Sequence, residues 1–177
     1  MADPDLIPAW VGGRLTPMDK IEVHRRGLRH PAVSVFVVAD GPDGPEWLIQ
    51  RRALTKYHTP GLWANSCCTH PNWGEDPAAC ALRRVREELG LTLDHLRPGG
   101  HVDYRADVGG GMVEDEAADL FVAHLPARPA LSPDPAEVMA VRWATPAALL
   151  AEIAADPAPF TPWFRIYMRG HLTHVTG

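Results

Sequence analysis

The sequence predicts an α+β or α/β sandwich in which a mixed β-sheet is flanked by helices. Strand-like runs come first, one strongly patterned helix follows, and further strands and terminal helices complete the chain. The 177 residues are 46% hydrophobic and 22% charged, which suits one domain with its own core. We expect a single domain over residues 1–177, with residues 1–10 as a candidate flexible N-terminal arm.

The strands are predicted from β-branched runs and turn residues. Residues 33–38 read Val-Ser-Val-Phe-Val-Val, a composition typical of a strand. Residues 41–45, Gly-Pro-Asp-Gly-Pro, form a turn, and residues 47–50 return as a second strand. Weaker strand signals lie at residues 100–105, 119–124 and 138–143.

Three helices are predicted from a shared start signal, a capping residue followed by proline. Asp76, Thr145 and Thr161 each stand before a proline, which is favoured at the first helical position. In the first helix, apolar residues recur at helical spacing and Gly90 is placed to end it. The predicted helices cover residues 77–89, 147–155 and 163–172.

Charge and composition exclude several classes of function. A formal net charge of −5 provides no basic surface for nucleic acid or for an anionic membrane. The acidic start Met-Ala-Asp-Pro-Asp is unlike a signal peptide, and the 3 cysteines do not form a disulfide framework. We expect a cytoplasmic protein without nucleic-acid or membrane partners, as a monomer or weak homodimer.

The segment over residues 69–91 resembles the Nudix signature, a loop and helix that bind divalent metal. Glu75, Arg83, Val85, Glu87, Glu88, Gly90 and Leu91 fall in register with that signature. Thr69 replaces its glycine, and Arg84 replaces the glutamate that follows the arginine. Glu88 can still offer oxygen to a hard cation, with Arg84 one helical turn away. A solvated amphipathic helix is the alternative for this segment taken alone.

Five further segments resemble the type I isopentenyl diphosphate isomerases, a Nudix-like family. They lie in the family's order at residues 24–30, 51–56, 62–71, 104–116 and 160–163, so the match spans nearly the whole chain. The resemblance implies a Nudix-like sandwich and an isomerase of isoprenoid biosynthesis. That enzyme interconverts isopentenyl and dimethylallyl diphosphate by metal-dependent protonation and deprotonation through a tertiary carbocation.

The resemblance also implies a metal site and its ligands. The family's ligand positions fall on His24, His30, His70, Glu114 and Glu116. Three imidazoles and two carboxylates suit Mn²⁺ or Mg²⁺, with zinc as a further candidate. Any one of these residues alone could be a surface or core side chain, and Glu114-Asp115-Glu116 could be a simple acidic loop. Two residues apart, the glutamates would share a face of a strand or lie across a tight turn.

The family's catalytic positions fall on Cys68, Glu116 and Tyr104. The resemblance implies that Glu116, assisted by Tyr104, donates the proton and that Cys68 is the base, with roles reversed in the back reaction. Cys67 and Cys80 are interpreted as small buried hydrophobic residues.

The diphosphate positions follow from the same resemblance. Lys20, Arg52 and Lys56 would hold the substrate diphosphate, and Trp163 would stand beside the reacting carbons. A second ion, Mg²⁺, would bind the diphosphate through Glu88 and the main-chain carbonyl of Cys68. Arg51, Arg83 and Arg84 are further candidates for contacts with the diphosphate.

Two other functions are weighed against the isomerase. A Nudix hydrolase of a nucleoside diphosphate derivative would need a glutamate where Arg84 stands. A binding module without catalysis would leave Cys68, Tyr104, Glu116 and the three histidines as coincidence.

Overall fold

The computed structural model describes residues 6–177, which form a two-stranded and a seven-stranded β-sheet with helices around them. The strands are β1 Leu6–Val11, β2 Arg14–Asp19, β3 Arg29–Gly41, β4 Gly44–Arg52, β5 Trp63–Ala64, β6 Cys67–Thr69, β7 Arg97–Gly109, β8 Met112–Leu125 and β9 Val138–Ala144. The helices are α1 Lys20–Arg26, α2 Pro77–Leu89, α3 Pro146–Ala155, α4 Pro162–Gly170 and α5 Leu172–Thr176.

Strand β3 lies at the centre of the larger sheet. It pairs with β8 in parallel and with β4 and β6 in antiparallel fashion, and this makes the sheet mixed. The order along the main path is β5-β4-β3-β8-β7, while β9 joins β4. Residues 32–39 of β3 are buried throughout, as expected for a strand covered on both faces.

The two faces of the larger sheet have separate cores. Val33, Val35 and Val37 point to the core that includes α2, whereas Phe36 and Val38 point to the core that includes α3 and α4. This alternation follows from the two-residue period of a strand. The predicted sandwich of a mixed sheet between helices is therefore confirmed.

The predicted helix starts agree with the structure, with one difference in capping. The side chains of Asp76 and Thr145 accept hydrogen bonds from Ala79 N and Ala148 N. Thr161 makes no such bond, although Pro162 still begins α4. Helix α4 ends at Gly170 rather than at residue 172, because the backbone leaves the helical conformation at the next residue and a separate short helix, α5, follows.

The N-terminal segment differs from the sequence-based expectation. Residues 6–11 pair with residues 14–19 as a hairpin, and Ile7 and Ala9 are buried in a small core with Val23 of α1. A flexible arm is therefore wrong for residues 6–10, because burial of these two side chains holds the strand in place; residues 1–5 lie outside the described part. A single domain over residues 1–177 stays a prediction.

The longest hairpin of the sheet carries the paired glutamates. Strands β7 and β8 pair from Arg97↔Val122 to Gly109↔Met112, well beyond the short predicted segments. Glu114 and Glu116 therefore lie on one face of a strand, not across a turn. Within residues 6–177, every helix is too short or too polar to span a bilayer.

Candidate active site

Three histidines from separate elements meet at one end of the larger sheet. His24 lies on α1, His30 near the start of β3, and His70 directly after β6. The ring centroids are 4.9 Å apart for His24 and His30, 5.0 Å for His24 and His70, and 4.9 Å for His30 and His70. Three imidazoles at nearly equal spacing are a typical arrangement for ligands of one ion.

Backbone carbonyls orient two of these rings. His24 Nδ1 lies 2.7 Å from Lys20 O, and His30 Nδ1 lies 2.7 Å from Leu28 O. A carbonyl only accepts hydrogen bonds, so each Nδ1 carries the proton and each Nε2 keeps its lone pair. His30 Nε2 is buried and has no hydrogen-bond partner. A buried nitrogen lone pair that is not used in a hydrogen bond is suited to coordinate a metal ion.

The two glutamates and Tyr104 complete the cluster through strand register. Glu116 of β8 is the pairing partner of both His30 on β3 and Tyr104 on β7. Its Oε1 lies 3.1 Å from His70 Nε2 and 3.6 Å from His30 Nε2. The Tyr104 hydroxyl lies 2.5 Å from Glu116 Oε2 and 3.0 Å from Glu114 Oε2.

The buried groups in the cluster shift one another's pKa. Burial, then the nearby His70, lowers the pKa of His24 to about 3, and burial lowers that of His70 to about 4. Burial alone would raise the pKa of Glu116, but the adjacent imidazoles of His30 and His70 outweigh it and hold the pKa below its usual range. Burial and the charge of Glu116 raise the pKa of Glu114. The imidazoles of His24 and His70 are therefore neutral at neutral pH, as metal ligands must be.

The donor set fits a divalent metal. Ligand atoms of His24, His30, His70 and Glu116 all lie within 4.8 Å of one another. Glu114 is not in that group but forms a second one, under the same distance limit, with His24 and His58. Because His24 Nδ1 faces the Lys20 carbonyl, only its Nε2 can coordinate, and the two groups can therefore serve one ion but not two. The residues present can therefore hold a divalent cation.

His58 belongs to this site and was missed by the sequence analysis. It is buried, and its Nε2 lies 3.2 Å from Glu114 Oε1. Burial, followed by the charge of Arg52, lowers the pKa of His58 to about 2. Its place two residues after Lys56 was the only signal in the sequence, and no pattern distinguished it from a surface histidine.

The neighbouring thiols point in opposite directions because β6 is extended. Cys67 is fully buried in the core that includes α2, whereas Cys68 lines the cavity beside the histidine–glutamate cluster. The Cys68 thiol donates to Asn65 Oδ1 at 2.8 Å and lies 3.4 Å from Ser34 Oγ. Burial raises the pKa of the Cys68 thiol above its usual range, so it is protonated in this form of the protein.

A cavity of about 320 Å³ adjoins the cluster and is rich in cationic side chains. Its lining includes Cys68, Tyr104, Glu114, Glu116, Trp163, Lys20, Arg52, Lys56, Arg83 and Arg84. Several of these cations contact carboxylates: Lys56 pairs with Glu137, and Arg83 bonds Glu75 at 2.6 Å. Cationic and acidic groups therefore share this cavity, as the binding of a diphosphate with its cation requires.

Trp163 forms one wall of the cavity. It is 1% exposed, its indole nitrogen has no hydrogen-bond partner, and the Arg52 guanidinium carbon lies 5.3 Å from the ring.

Two predicted residues lie apart from this cavity. Glu88 is buried and is not among the lining residues; it accepts bonds from Arg84 Nη2 at 2.7 Å and Gln50 Nε2 at 2.9 Å. Arg51 is exposed and donates to Gly61 O at 2.8 Å, also outside the lining. The structure therefore brings the predicted ligands, the catalytic candidates and most of the predicted cations together, but not these two.

The fold and the site define a class of protein. A model of the NUDIX domain matches residues 28–164. A Nudix hydrolase from M. smegmatis, RenU, superposes with a TM-score of 0.60 at 20% identity, covering 93% of this chain and 89% of that one. Such similarity concerns the fold alone. The class is that of NUDIX-domain proteins, here with a cluster of histidines and glutamates beside the cavity.

Two curated relatives define the family more narrowly. The isopentenyl-diphosphate Delta-isomerase of Dinoroseobacter shibae is 54% identical over 173 residues, covering 98% of this chain and 96% of that protein. The protein of the same name from Cereibacter sphaeroides (strain ATCC 17025) is 53% identical over 174 residues, with 98% and 96% coverage. The chain belongs to the isopentenyl-diphosphate Delta-isomerase family.

Proposed function

We propose that this protein is an isopentenyl-diphosphate Delta-isomerase that interconverts isopentenyl and dimethylallyl diphosphate for isoprenoid biosynthesis. The observation that carries the proposal is the convergence of Cys68 and the Tyr104–Glu116 pair on one cavity lined with cations. Curated relatives of that name, at more than half identity over nearly the full length, support it.

The reaction requires an acid and a base at two ends of an unactivated alkene. A proton added to the terminal carbon creates a tertiary cation at the branched carbon, and a proton lost from the neighbouring carbon places the new double bond. Glu116, assisted by Tyr104, is our proton donor, and Cys68 is our base. The roles exchange in the back reaction.

The charge states of Cys68 and Glu116 suit the back reaction, from dimethylallyl to isopentenyl diphosphate. The thiol of Cys68 is protonated, and the pKa of Glu116 lies below its usual range. A neutral thiol with an ionised carboxylate is the state from which the back reaction starts, because Glu116 then accepts and Cys68 donates. One turnover in the back direction reverses both charges and prepares the pair for the forward reaction.

Divalent metal fits the cluster, and we propose Mn²⁺ or Mg²⁺, with zinc as a further candidate, held by His24, His30, His70, Glu114 and Glu116. When bound, the ion would supply positive charge that lets two buried carboxylates ionise side by side. The protein's own contribution is to bond Nδ1 of His24 and His30 to backbone carbonyls, which directs their Nε2 lone pairs toward the cluster.

The diphosphate is proposed to bind Lys20, Arg52 and Lys56, which line the same cavity. A second ion, Mg²⁺, with the diphosphate would use Glu88 and the Cys68 carbonyl. Glu88 now accepts one hydrogen bond on each oxygen, from Arg84 and Gln50, so the ion would use the remaining lone pairs of this carboxylate. Arg83 and Arg84 line the cavity and are further candidates, whereas Arg51 faces away.

Trp163 is proposed to protect and stabilise the carbocation. A buried indole face attracts a positive carbon by cation–π interaction, worth about 2 kcal/mol when water is excluded. The same wall keeps out water, which would otherwise convert the cation into an alcohol.

The test is conversion of isopentenyl diphosphate by the purified, metal-loaded protein, followed by proton and phosphorus NMR. We expect dimethylallyl diphosphate to appear with the diphosphate intact. Release of phosphate without an isomeric product would instead support a Nudix hydrolase, which Arg84 argues against because a cation there repels a metal cluster.

The partner of the protein is proposed to be this small-molecule diphosphate alone, without nucleic acid or membrane. We also propose a cytoplasmic protein that is a monomer or weak homodimer, which light scattering at several protein concentrations would check.

A further inference from the structure

His58 lies between the proposed metal ligands and the substrate cavity. Its ring centroid lies 5.4 Å from that of His24 and 5.8 Å from that of Trp163, the latter edge to face at 89°. Arg52 Nη2 donates to the His58 carbonyl at 3.1 Å. The His58 ring packs between these neighbours with its Nε2 3.2 Å from Glu114 Oε1.

The other ring nitrogen of His58 contacts the next residue, Thr59. His58 Nδ1 lies 3.0 Å from Thr59 Oγ1, and both residues are buried. Thr59 is the only non-glycine residue between 6 and 177 with a positive φ, at 46°. A β-branched residue is rarely found there, because its side chain crowds the backbone. The local fold thus accepts strain at the residue whose hydroxyl reaches the histidine.

The donor and acceptor roles of the His58 ring nitrogens follow from the ionised state that Glu114 must have as a metal ligand. An ionised carboxylate only accepts, so a proton has to stand on His58 Nε2 when Glu114 binds a cation. Nδ1 of the neutral ring then holds a lone pair, and the Thr59 hydroxyl is the donor at 3.0 Å that satisfies it. Thr59 selects the tautomer and His58 presents its proton to Glu114.

We propose that Thr59 and His58 are positioning residues that orient Glu114 toward the metal, as a hydrogen-bonded chain outside the ligand set. This deepens the proposed function and rests on it for the identity of the metal site. Such outer partners fix the orientation and basicity of a ligand, and their loss typically weakens metal binding 10- to 100-fold. The Tyr104 hydroxyl lies 3.0 Å from the other oxygen of Glu114 but 2.5 Å from Glu116 Oε2, so its single proton serves Glu116 first and His58 is the donor for Glu114.

The test compares Mn²⁺ affinity in four variants, measured from the free Mn²⁺ signal in electron paramagnetic resonance. His58→Ala is expected to weaken binding about 10- to 100-fold. Thr59→Val keeps the shape and branching but removes the hydroxyl, and should weaken binding several-fold. Thr59→Ser restores the donor and should bind as the wild type does. His95→Ala, at an exposed histidine, is the matched control and should change nothing.

Two further measurements separate positioning from other roles. Nitrogen hyperfine spectra of the Mn²⁺-loaded wild type should show three coordinated imidazoles, unchanged in number in His58→Ala. With substrate, His58→Ala should lower kcat more than it raises KM, because the diphosphate contacts remain. If His58→Ala does not fold, the comparison of Mn²⁺ affinity between Thr59→Val and Thr59→Ser tests the proposal by itself.

Three results would overturn the proposal. These are wild-type Mn²⁺ affinity in a folded His58→Ala, equal affinities in Thr59→Val and Thr59→Ser, or a fourth coordinated imidazole that disappears in His58→Ala. The last result makes His58 a ligand rather than a positioning residue. A wild type that binds Mn²⁺ but never isomerises substrate contradicts the proposed function instead, and leaves the affinity series valid.

Discussion

Substitution of the two adjacent cysteines should separate catalysis from packing. Cys68→Ala removes one of the two proton-transfer groups. Such a group typically contributes a factor of about 10² to 10⁴ to the rate, so kcat should fall at least about 10²-fold. It also leaves Asn65 Oδ1, a fully buried atom, without the thiol that donates to it at 2.8 Å. An unsatisfied buried acceptor costs about 1–3 kcal/mol, so the free energy of unfolding should fall by about 1–2 kcal/mol.

Cys68→Ser separates these two effects. The serine hydroxyl can still donate to Asn65 Oδ1, so stability should stay within about 0.5 kcal/mol of the wild type. An alkoxide is far harder to form than a thiolate, and kcat should therefore remain as low as in Cys68→Ala.

Cys67→Ala should have the opposite profile. The side chain is 0% exposed and packs among apolar residues on the α2 side. Removal of the sulfur deletes one buried heavy atom and leaves a small cavity, which costs about 1–2 kcal/mol. Its thiol faces away from the cavity, so kcat should stay within a few-fold of the wild type.

Urea unfolding and steady-state turnover, measured on the same preparations, check the whole series. The reasoning fails if Cys68→Ser turns over normally, or if Cys67→Ala loses turnover while keeping wild-type stability. The first result would show that the thiol of Cys68 is not the base, and the second would place the catalytic thiol one residue earlier in β6.

Three other predictions concern metal, hydrolysis and the aromatic wall. Chelation should abolish turnover and Mn²⁺ or Mg²⁺ should restore it; full activity in a metal-free sample would contradict the histidine–glutamate site. Phosphorus NMR should show no cleavage of the substrate or of nucleoside diphosphate sugars, because Arg84 stands where hydrolases carry glutamate; steady phosphate release would argue for hydrolysis. Trp163→Leu should lower kcat about 10- to 100-fold through loss of about 2 kcal/mol of cation–π stabilisation, and Trp163→Phe, which keeps an aromatic face, should lose less.

The central sheet could be predicted because its strands carry a strong local pattern. Residues 33–38 are β-branched and buried on both faces, and residues 41–45 contain the turn residues of the β3–β4 hairpin. Helices α2, α3 and α4 were equally readable, because each follows a capping residue and begins with proline. Local chemistry specified these elements without help from distant contacts.

The N-terminal hairpin could not be read in this way. Pro8 and Pro17 face each other across β1 and β2, and proline normally argues against a strand. It is accepted here because the sheet has only two strands, so each strand has a free edge. Helix α1 has a capping Asp19 but lacks the proline that marked the others, and its seven residues are too few for a periodic pattern.

The residues of the site that match the family's motifs could be predicted from the sequence. The residue that reaches the site only through a tertiary contact could not. His24, His30, His70 and Glu116 were expected together and lie together. His58 joins them only because the loop after β4 folds over the end of the sheet, a contact between residues 56 positions apart that no local pattern encodes. Glu88 was expected to offer oxygen to a cation with Arg84 in support one helical turn away; it is paired with Arg84, and its binding of a cation stays a prediction.

Isomerisation in D₂O tests the central claim, paired proton transfer by Cys68 and Glu116, most directly. Both groups exchange their protons with solvent between turnovers, so the terminal CH₂ of isopentenyl diphosphate should emerge as a CH₂D methyl group in dimethylallyl diphosphate. Proton NMR should show this label in the wild type and no product in Cys68→Ala. A product without deuterium, formed by direct hydrogen migration within the substrate, would contradict the account.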